Sequence, residues 1–278
     1  MSHLRLEPAA SPTDVVACCD MVYGHPLAEA LVGESFHPGG LARTRELLAA
    51  SGLPSGARIL EVGCGLGASA RLAATEFGLA VDALDVSEAV LQQASKRSAG
   101  VDIRWQRGDV TRTAAASETY DAVLAECVLA AAPRPAAMAQ IVRVLRPGGL
   151  LLLSDVEVSG DPIPYLEPGD VLGAALCVGS AWLPGEFEQR TASDGLKVAR
   201  YWDRSDDILR LIDRVEGRLT VARTLLPRPA ASSLPVEAPA LPDSDTLKSI
   251  TASLRSAVAD GRLGYFAAIA RRGSAPSP

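Results

Sequence analysis

Arg58-Ile59-Leu60-Glu61-Val62-Gly63-Cys64-Gly65-Leu66-Gly67 is the stretch on which the reading of this chain turns. The first five residues read as a buried strand. Glycines at alternate positions then bend the chain before a helix. Gly63, Gly65 and Gly67 remove Cβ atoms where a ligand approaches the backbone. The helix presents free N–H groups and the positive end of its dipole to that turn. The pattern leaves the ligand open, because Gly63, Gly65 and Ala68 also satisfy G-x-G-x-x-A. A tight turn with no ligand is the plainer alternative.

Working outward, apolar runs alternate with amphipathic stretches. Strands are predicted at 57–62, 80–85, 102–106, 120–125 and 149–155, and helices at 67–77, 87–97 and 134–145. Strands alternating with helices of this length imply βαβ units and a parallel sheet. Arg146-Pro147-Gly148-Gly149 reads as a helix stop. Leu150 to Leu153 reads as a strand buried on both faces. Upstream, 1–12 is expected to be loosely docked, and 13–23, 25–33 and 41–51 helical, with a break at Pro38-Gly39-Gly40. Downstream, 197–202 and 263–270 read as strands, 205–226 and 243–260 as helices, 227–242 as a Pro/Ala/Ser-rich loop and 272–278 as a polar tail.

Three further features narrow the ligand. Asp85 closes the second strand, where a carboxylate can accept from both hydroxyls of a ribose. Val86 follows it, and Ser87 suits an N-cap of the next helix. Asp109, in Arg107-Gly108-Asp109-Val110, can accept from an adenine amino group while the Val110 N–H reaches a ring nitrogen. The plain alternative is a Gly-Asp turn. Tyr120 to Glu126 and Leu145-Arg146-Pro147-Gly148-Gly149-Leu150 complete the set. In this order and spacing, the motifs resemble the class I S-adenosylmethionine-dependent methyltransferases over about residues 57–157. The resemblance implies a doubly wound α/β fold with a seven-stranded, mostly parallel sheet and an antiparallel last strand. It also implies cofactor contacts from Glu61, Gly63, Cys64, Gly65, Gly67, Asp85, Val86, Asp109, Val110 and Glu126. The organisation expected is an N-terminal helical segment or lid (1–56), a cofactor-binding core (57–160) and a C-terminal remainder with substrate cover and the last strands (161–278).

In an open α/β sheet the acceptor lies beyond the carboxyl ends of the strands, which puts Cys127 at the mouth. On position alone Cys127 reads as a small apolar residue at a strand end. Glu126-Cys127-Val128-Leu129, Ser154-Asp155-Val156 and Leu176-Cys177-Val178-Gly179-Ser180-Ala181 also resemble arsenite methyltransferases. That resemblance implies Cys127 and Cys177 as catalytic ligands of trivalent arsenic; a third thiolate could come from Cys18 or Cys19 or from a cytosolic thiol, although Cys18-Cys19 reads more simply as one core-facing and one partly exposed thiol. Thiolates are soft ligands suited to such a centre. The chain departs from the pattern at Glu126, where the family has Asn, and at Ser180-Ala181, where it has Gly-Ala. An acceptor with an oxygen or nitrogen nucleophile would instead need a base. Glu126 and Asp155 are candidates, and His37 reads more simply as a solvated turn residue. Tyr201 and Trp202 are candidates for the mouth, only one of them facing inward. A nicotinamide-dependent oxidoreductase and a non-catalytic nucleoside-binding module remain as other readings.

The whole chain sets bounds. Its 278 residues, 48% hydrophobic, suffice for one large domain. A net charge of -6 argues against a nucleic-acid partner. No apolar run reaches membrane-spanning length, and Met1-Ser2-His3-Leu4-Arg5 lacks a signal-peptide pattern. A cytoplasmic protein is expected, with its five cysteines as free thiols and no resident metal. The partner expected is a small-molecule or metalloid substrate.

Overall fold

A computed structural model describes residues 26–166, 180–225 and 243–274. The seven strands are β1 (Arg58–Val62), β2 (Ala80–Asp85), β3 (Ile103–Arg107), β4 (Tyr120–Glu126), β5 (Leu145–Val158), β6 (Leu196–Asp203) and β7 (Leu263–Arg272). They form one sheet in the order β3-β2-β1-β4-β5-β7-β6. Strands β1 to β5 pair in parallel, whereas β7 runs antiparallel to both neighbours, β5 and β6. The chain reverses direction along the sheet on either side of β1, so a crevice opens between β1 and β4 at their carboxyl ends.

The helices are α1 (Pro26–Val32), α2 (Gly40–Ser51), α3 (Ala68–Phe77), α4 (Glu88–Arg97), α5 (Arg134–Val144), α6 (Glu186–Ser193), α7 (Asp206–Leu225) and α8 (Ser244–Ala259). Successive strand residues point to opposite faces, and the core divides accordingly. Ile59, Ala122, Leu124, Leu150, Leu152, Ala267 and Ile269 pack with α2, α3 and α4 on one face. Leu60, Val62, Val123, Ala125, Leu151, Leu153, Phe266 and Ala268 pack with α5, Trp182 and Phe187 on the other. A third cluster joins Val156, Leu263 and Tyr265 to Ile208, Ile212 and Leu254 of α7 and α8.

Most boundaries fall within a residue or two of those read from the sequence. Ser87 caps α4 by accepting from Val90 N at 3.3 Å. Asp203 caps the approach to α7 by accepting from Ser205 N at 2.8 Å. Two readings are corrected. Arg146-Pro147-Gly148-Gly149 does not precede its strand; β5 starts at Leu145. Leu145 pairs with Tyr120 and Leu150 with Ala122, so the four residues bulge out of the ladder between those pairs. Proline cannot donate to a ladder, which is why the stretch reads as a stop and behaves as a bulge. Helix α6 was not foreseen at all, because Glu186 to Ser193 has only Phe187 and Thr191 buried.

The N-terminal segment is tied to the body by charge. Arg43 Nε and Nη2 both bond to Asp207 Oδ2, at 2.9 and 2.7 Å, with both side chains largely buried. Gly39 has φ 80°, and a Cβ there would lie 2.5 Å from Asp207 Oδ2. That glycine therefore permits the Arg43–Asp207 pair and, with it, the turn that carries His37.

Candidate active site

On the α2/α3 face each inner strand runs apolar until its last inward position and then turns polar. Ile59 is followed by Glu61, and Leu124 by Glu126. Leu152 is followed by Ser154, and on antiparallel β7 Ala267 is followed by Tyr265. A single row of polar groups thus crosses β1, β4, β5 and β7 at the carboxyl edge of the sheet. Glu126 pairs directly with Ser154.

Helices α2 and α3 complete the row. Thr44 Oγ1 donates to Glu126 at 3.0–3.1 Å, and Ser69 Oγ donates at 2.8 Å. His37 Nε2 lies 3.4 Å from Glu126 Oε2. Its other nitrogen faces the Pro38 carbonyl at 3.1 Å and the Tyr265 hydroxyl at 3.5 Å. Tyr265 in turn donates to Ser154 Oγ at 2.8 Å. His37 is buried, not solvated as its turn position suggested. Thr44, Ser69, Ser154 and Tyr265 escaped sequence reasoning. The signal available was the period of two along each strand, whose inward positions are apolar until the carboxyl end.

Glu61 sits in the same row under different conditions. It is 6% exposed, and its Oε2 has no hydrogen-bond partner. Burial pushes its carboxyl well above the usual range, and the charges of Glu126 and Asp85 push it further. Glu126 accepts from two hydroxyl donors and lies beside His37, whereas Glu61 has an orphaned oxygen. The two carboxylates of the row thus sit in unlike surroundings.

The glycine turn lies beside them. Asp85 accepts from Gly65 N at 2.9 Å and Ser87 N at 3.0 Å, tying the turn to the end of β2. Val86 next to it is exposed at 37%, an apolar surface on the lip. Asp109 accepts from Thr111 N and Thr111 Oγ1, both at 2.8 Å, and so caps a short 3₁₀ turn at Val110–Arg112. The Gly-Asp turn is real, and Val110 within it is buried. Cys64 is buried, and desolvation raises its thiol pKa.

Cys127 follows Glu126 with φ 55°, a left-handed conformation rare for a residue with a side chain. Its N–H bonds to Ser154 O at 2.8 Å. Desolvation first, and the charge of Asp155 second, push its thiol pKa well up, against a hydrogen bond with Tyr265 that lowers it. This thiol stays protonated near neutral pH. Cys18, Cys19 and Cys177 lie outside the described residues, as does 13–23.

Asp155 belongs to the opposite face. It is fully buried and accepts from Ala130 N at 2.9 Å, Val156 N at 2.9 Å and Trp182 Nε1 at 3.1 Å. With three donors and no exposure, it holds structure and does not meet an acceptor as a base. Tyr201 stacks on Phe266 at 5.2 Å, and Trp202 packs against the α2/α3-face core.

The donor set fits a nucleoside carrying an amino-acid group. The turn leaves room for backbone approach, Asp85 closes β2, and an orphaned carboxylate oxygen awaits a hydrogen-bond donor. The described cavities lie elsewhere. One of about 530 Å³, between Ser51–Ala57 and Arg146–Leu150, sits at the amino ends of the strands, away from this row.

Residues 59–149 match a protein-family model described as a methyltransferase domain. An uncharacterised protein of Haemophilus influenzae is 33% identical over 145 residues, which is 50% of this chain and 58% of that protein. Phosphoethanolamine N-methyltransferase 2 of Haemonchus contortus, solved with S-adenosylmethionine, shares the fold at a TM-score of 0.67 and 18% identity, covering 96% of this chain and 58% of that one. The [4+2]-cyclase SpnF shares it at a TM-score of 0.69 and 21% identity, covering 99% and 100%. The central segment is thus similar to a methyltransferase domain, and the chain shares the fold of solved S-adenosylmethionine-dependent methyltransferases. The cofactor of that class is S-adenosylmethionine. The chain spans a little over half the length of its first curated relative.

Proposed function

We propose that this chain transfers a methyl group from S-adenosylmethionine to an oxygen or nitrogen of a small organic acceptor. The observation that carries this reading is the buried row Glu61–Glu126–Ser154–Tyr265, completed by His37, Thr44 and Ser69, at the carboxyl edge of a methyltransferase-type sheet. Glu61, the 63–67 turn, Asp85 and Asp109 hold the cofactor, which supplies an electrophilic methyl on a sulfonium. On the acceptor side, the His37–Glu126 pair takes the proton that an O–H or N–H nucleophile gives up. A Brønsted base of this kind contributes about 10²–10⁴-fold. Thr44 and Ser69 fix the Glu126 carboxylate so that it orients the imidazole. Residues 26–51 act as part of the cover that keeps water out.

Arsenite is the less favoured acceptor. A metalloid centre needs thiolates, and its ligands must shed their protons. Desolvation of the half-buried Cys127 thiol works against that step. The test is S-adenosylhomocysteine formation with S-adenosylmethionine and a panel of amines, phenols and alcohols, with phosphoethanolamine and arsenite plus thiol in parallel. An amine or hydroxyl acceptor turning over in wild type, with Cys127→Ser active and His37→Asn slowed about 10²-fold or more, is the expected result. Turnover of arsenite alone, lost in Cys127→Ser, would overturn it.

Asp85 offers a check independent of the acceptor. Asp85→Ala is expected to weaken S-adenosylhomocysteine binding by about 10–100-fold, the loss of one or two charge-assisted hydrogen bonds. Isothermal calorimetry measures it. Unchanged affinity would remove Asp85 from the cofactor site.

A further inference from the structure

Glu61 is the one carboxylate of the polar row whose buried oxygen has no partner, and among the described residues the attraction of Arg71 is weaker than the burial and the carboxylate charges that oppose it. The neighbouring arginine, Arg71 on α3, is turned away, with Nη1 on Leu66 O at 2.8 Å and Nη2 on Glu34 at 3.3 Å. The other groups facing Glu61 are acids: Glu126 from β4, Asp85 from the end of β2, and the Cys64 thiol of the turn. The His37 imidazole is directed at Glu126, and the Tyr265 phenol is directed at Ser154. An ionised Glu61 would be a buried charge beside two other carboxylates with no donor on its Oε2, which is unfavourable. A proton on Glu61 removes that cost. Glu126, by contrast, accepts from Thr44 and Ser69 and lies 3.4 Å from His37.

We propose that Glu61 is a proton-releasing receptor for the α-ammonium group of the cofactor's amino-acid part: it is neutral in the free protein and becomes a carboxylate when that ammonium docks. The ammonium, and not the sulfonium, is the match for an orphaned oxygen. A carboxylate oxygen without a hydrogen-bond donor needs an N–H, and a sulfonium has none. The balance is simple. The cofactor arrives with its ammonium charged, Glu61 gives its proton to solvent, and an N⁺–H···O⁻ bond forms. The substrate and product forms of the cofactor share this ammonium, so both release the proton. Affinity then falls as pH drops through the acidity of the free Glu61, about tenfold per pH unit. It levels off above that point, where Glu61 is already ionised.

This inference rests on the cofactor reading above, and the test separates the two. Wild-type protein is titrated with S-adenosylhomocysteine by calorimetry at about pH 6, inside the range open to a buried carboxyl, in buffers of different ionisation enthalpy. The expected result is release of about one proton per ligand bound. 5′-Methylthioadenosine, which has the nucleoside and thioether but no ammonium, is expected to bind with no proton released. Glu61→Gln is expected to bind S-adenosylhomocysteine with no proton released and with affinity independent of pH. Failure of S-adenosylhomocysteine to bind at all sinks the cofactor reading. Binding without proton release overturns the role of Glu61 and leaves that reading intact. Equal proton release with 5′-methylthioadenosine also overturns it, because the proton then comes from a group that senses the nucleoside. The wild-type comparison of the two ligands decides the matter even if Glu61→Gln does not fold.

Discussion

Asp155→Ala is expected to lower the unfolding free energy by about 3–5 kcal/mol, because it leaves three buried N–H groups without an acceptor. Those groups are Ala130 N, Val156 N and Trp182 Nε1. They tie the loop after β4 and the segment around Trp182 to β5, and Trp182 stacks edge-on against Phe187 and Phe266. The cost depends on pH. Burial raises the Asp155 pKa to about 6 in the folded protein, against about 3.9 in an unfolded chain. A raised carboxyl pKa means that the folded state favours the protonated form. Below the unfolded value the group therefore carries no ionisation penalty. Between about pH 4 and 6 its contribution to stability declines, and above that window it stays low. The alanine substitution should then cost more at about pH 4.5 than at about pH 7.5. Urea denaturation of both proteins at the two pH values measures this. A larger cost at the higher pH would mean that the three N–H donors hold Asp155 as a stabilised carboxylate, against the burial argument.

The same residue illustrates what the sequence makes legible. From residues alone, Asp155 and Glu126 are equivalent acids at strand ends. Strand alternation separates them. Glu126 shares a parity with Leu124 and Ala122, which face α2 and α3, whereas Asp155 shares one with Leu153 and Leu151, which face Trp182 and Phe187. The sheet, its order of helices and the turn at 63–67 are legible because each rests on a local signal: a period of two, a period of 3.6, or a glycine. The convergence of His37, Thr44 and Ser69 on Glu126 is not, since it joins residues up to 89 positions apart across the packing of α2 on the sheet. His37 looked like a solvated turn residue because local composition cannot report that Arg43 and Asp207 pull its turn inward. Cys127 was read through its position at the mouth. Its acidity depends on burial, on Asp155 and on Tyr265, 138 residues away, and no motif encodes that environment.

Gly63→Ala is the substitution expected to damage cofactor binding most directly. Gly63 has φ 63°, where an L-residue costs about 1–2 kcal/mol. A Cβ there would lie 2.4 Å from Val128 Cγ2, so Val128 must move as well. Val128 follows Cys127, whose own left-handed backbone leaves the β4 exit little freedom to adjust. The combined effect is about 2–4 kcal/mol in stability, with S-adenosylhomocysteine affinity falling because Cys64 and Gly65 shift with the turn. The two causes are separable. Val128→Ala removes the overlap and leaves the backbone strain, so the double variant should recover part of the loss. A coupling energy above about 0.5 kcal/mol is the expected mark of direct contact. Strictly additive losses in denaturation midpoint would mean that the strain at Gly63 acts alone. The steric role of Val128 would then fail while the need for glycine stood. Calorimetry on the same four proteins locates the functional share. If affinity recovers with stability in the double variant, the turn binds its ligand through backbone placement. If stability recovers and affinity does not, the missing hydrogen at Gly63 Cα is itself the point of ligand approach.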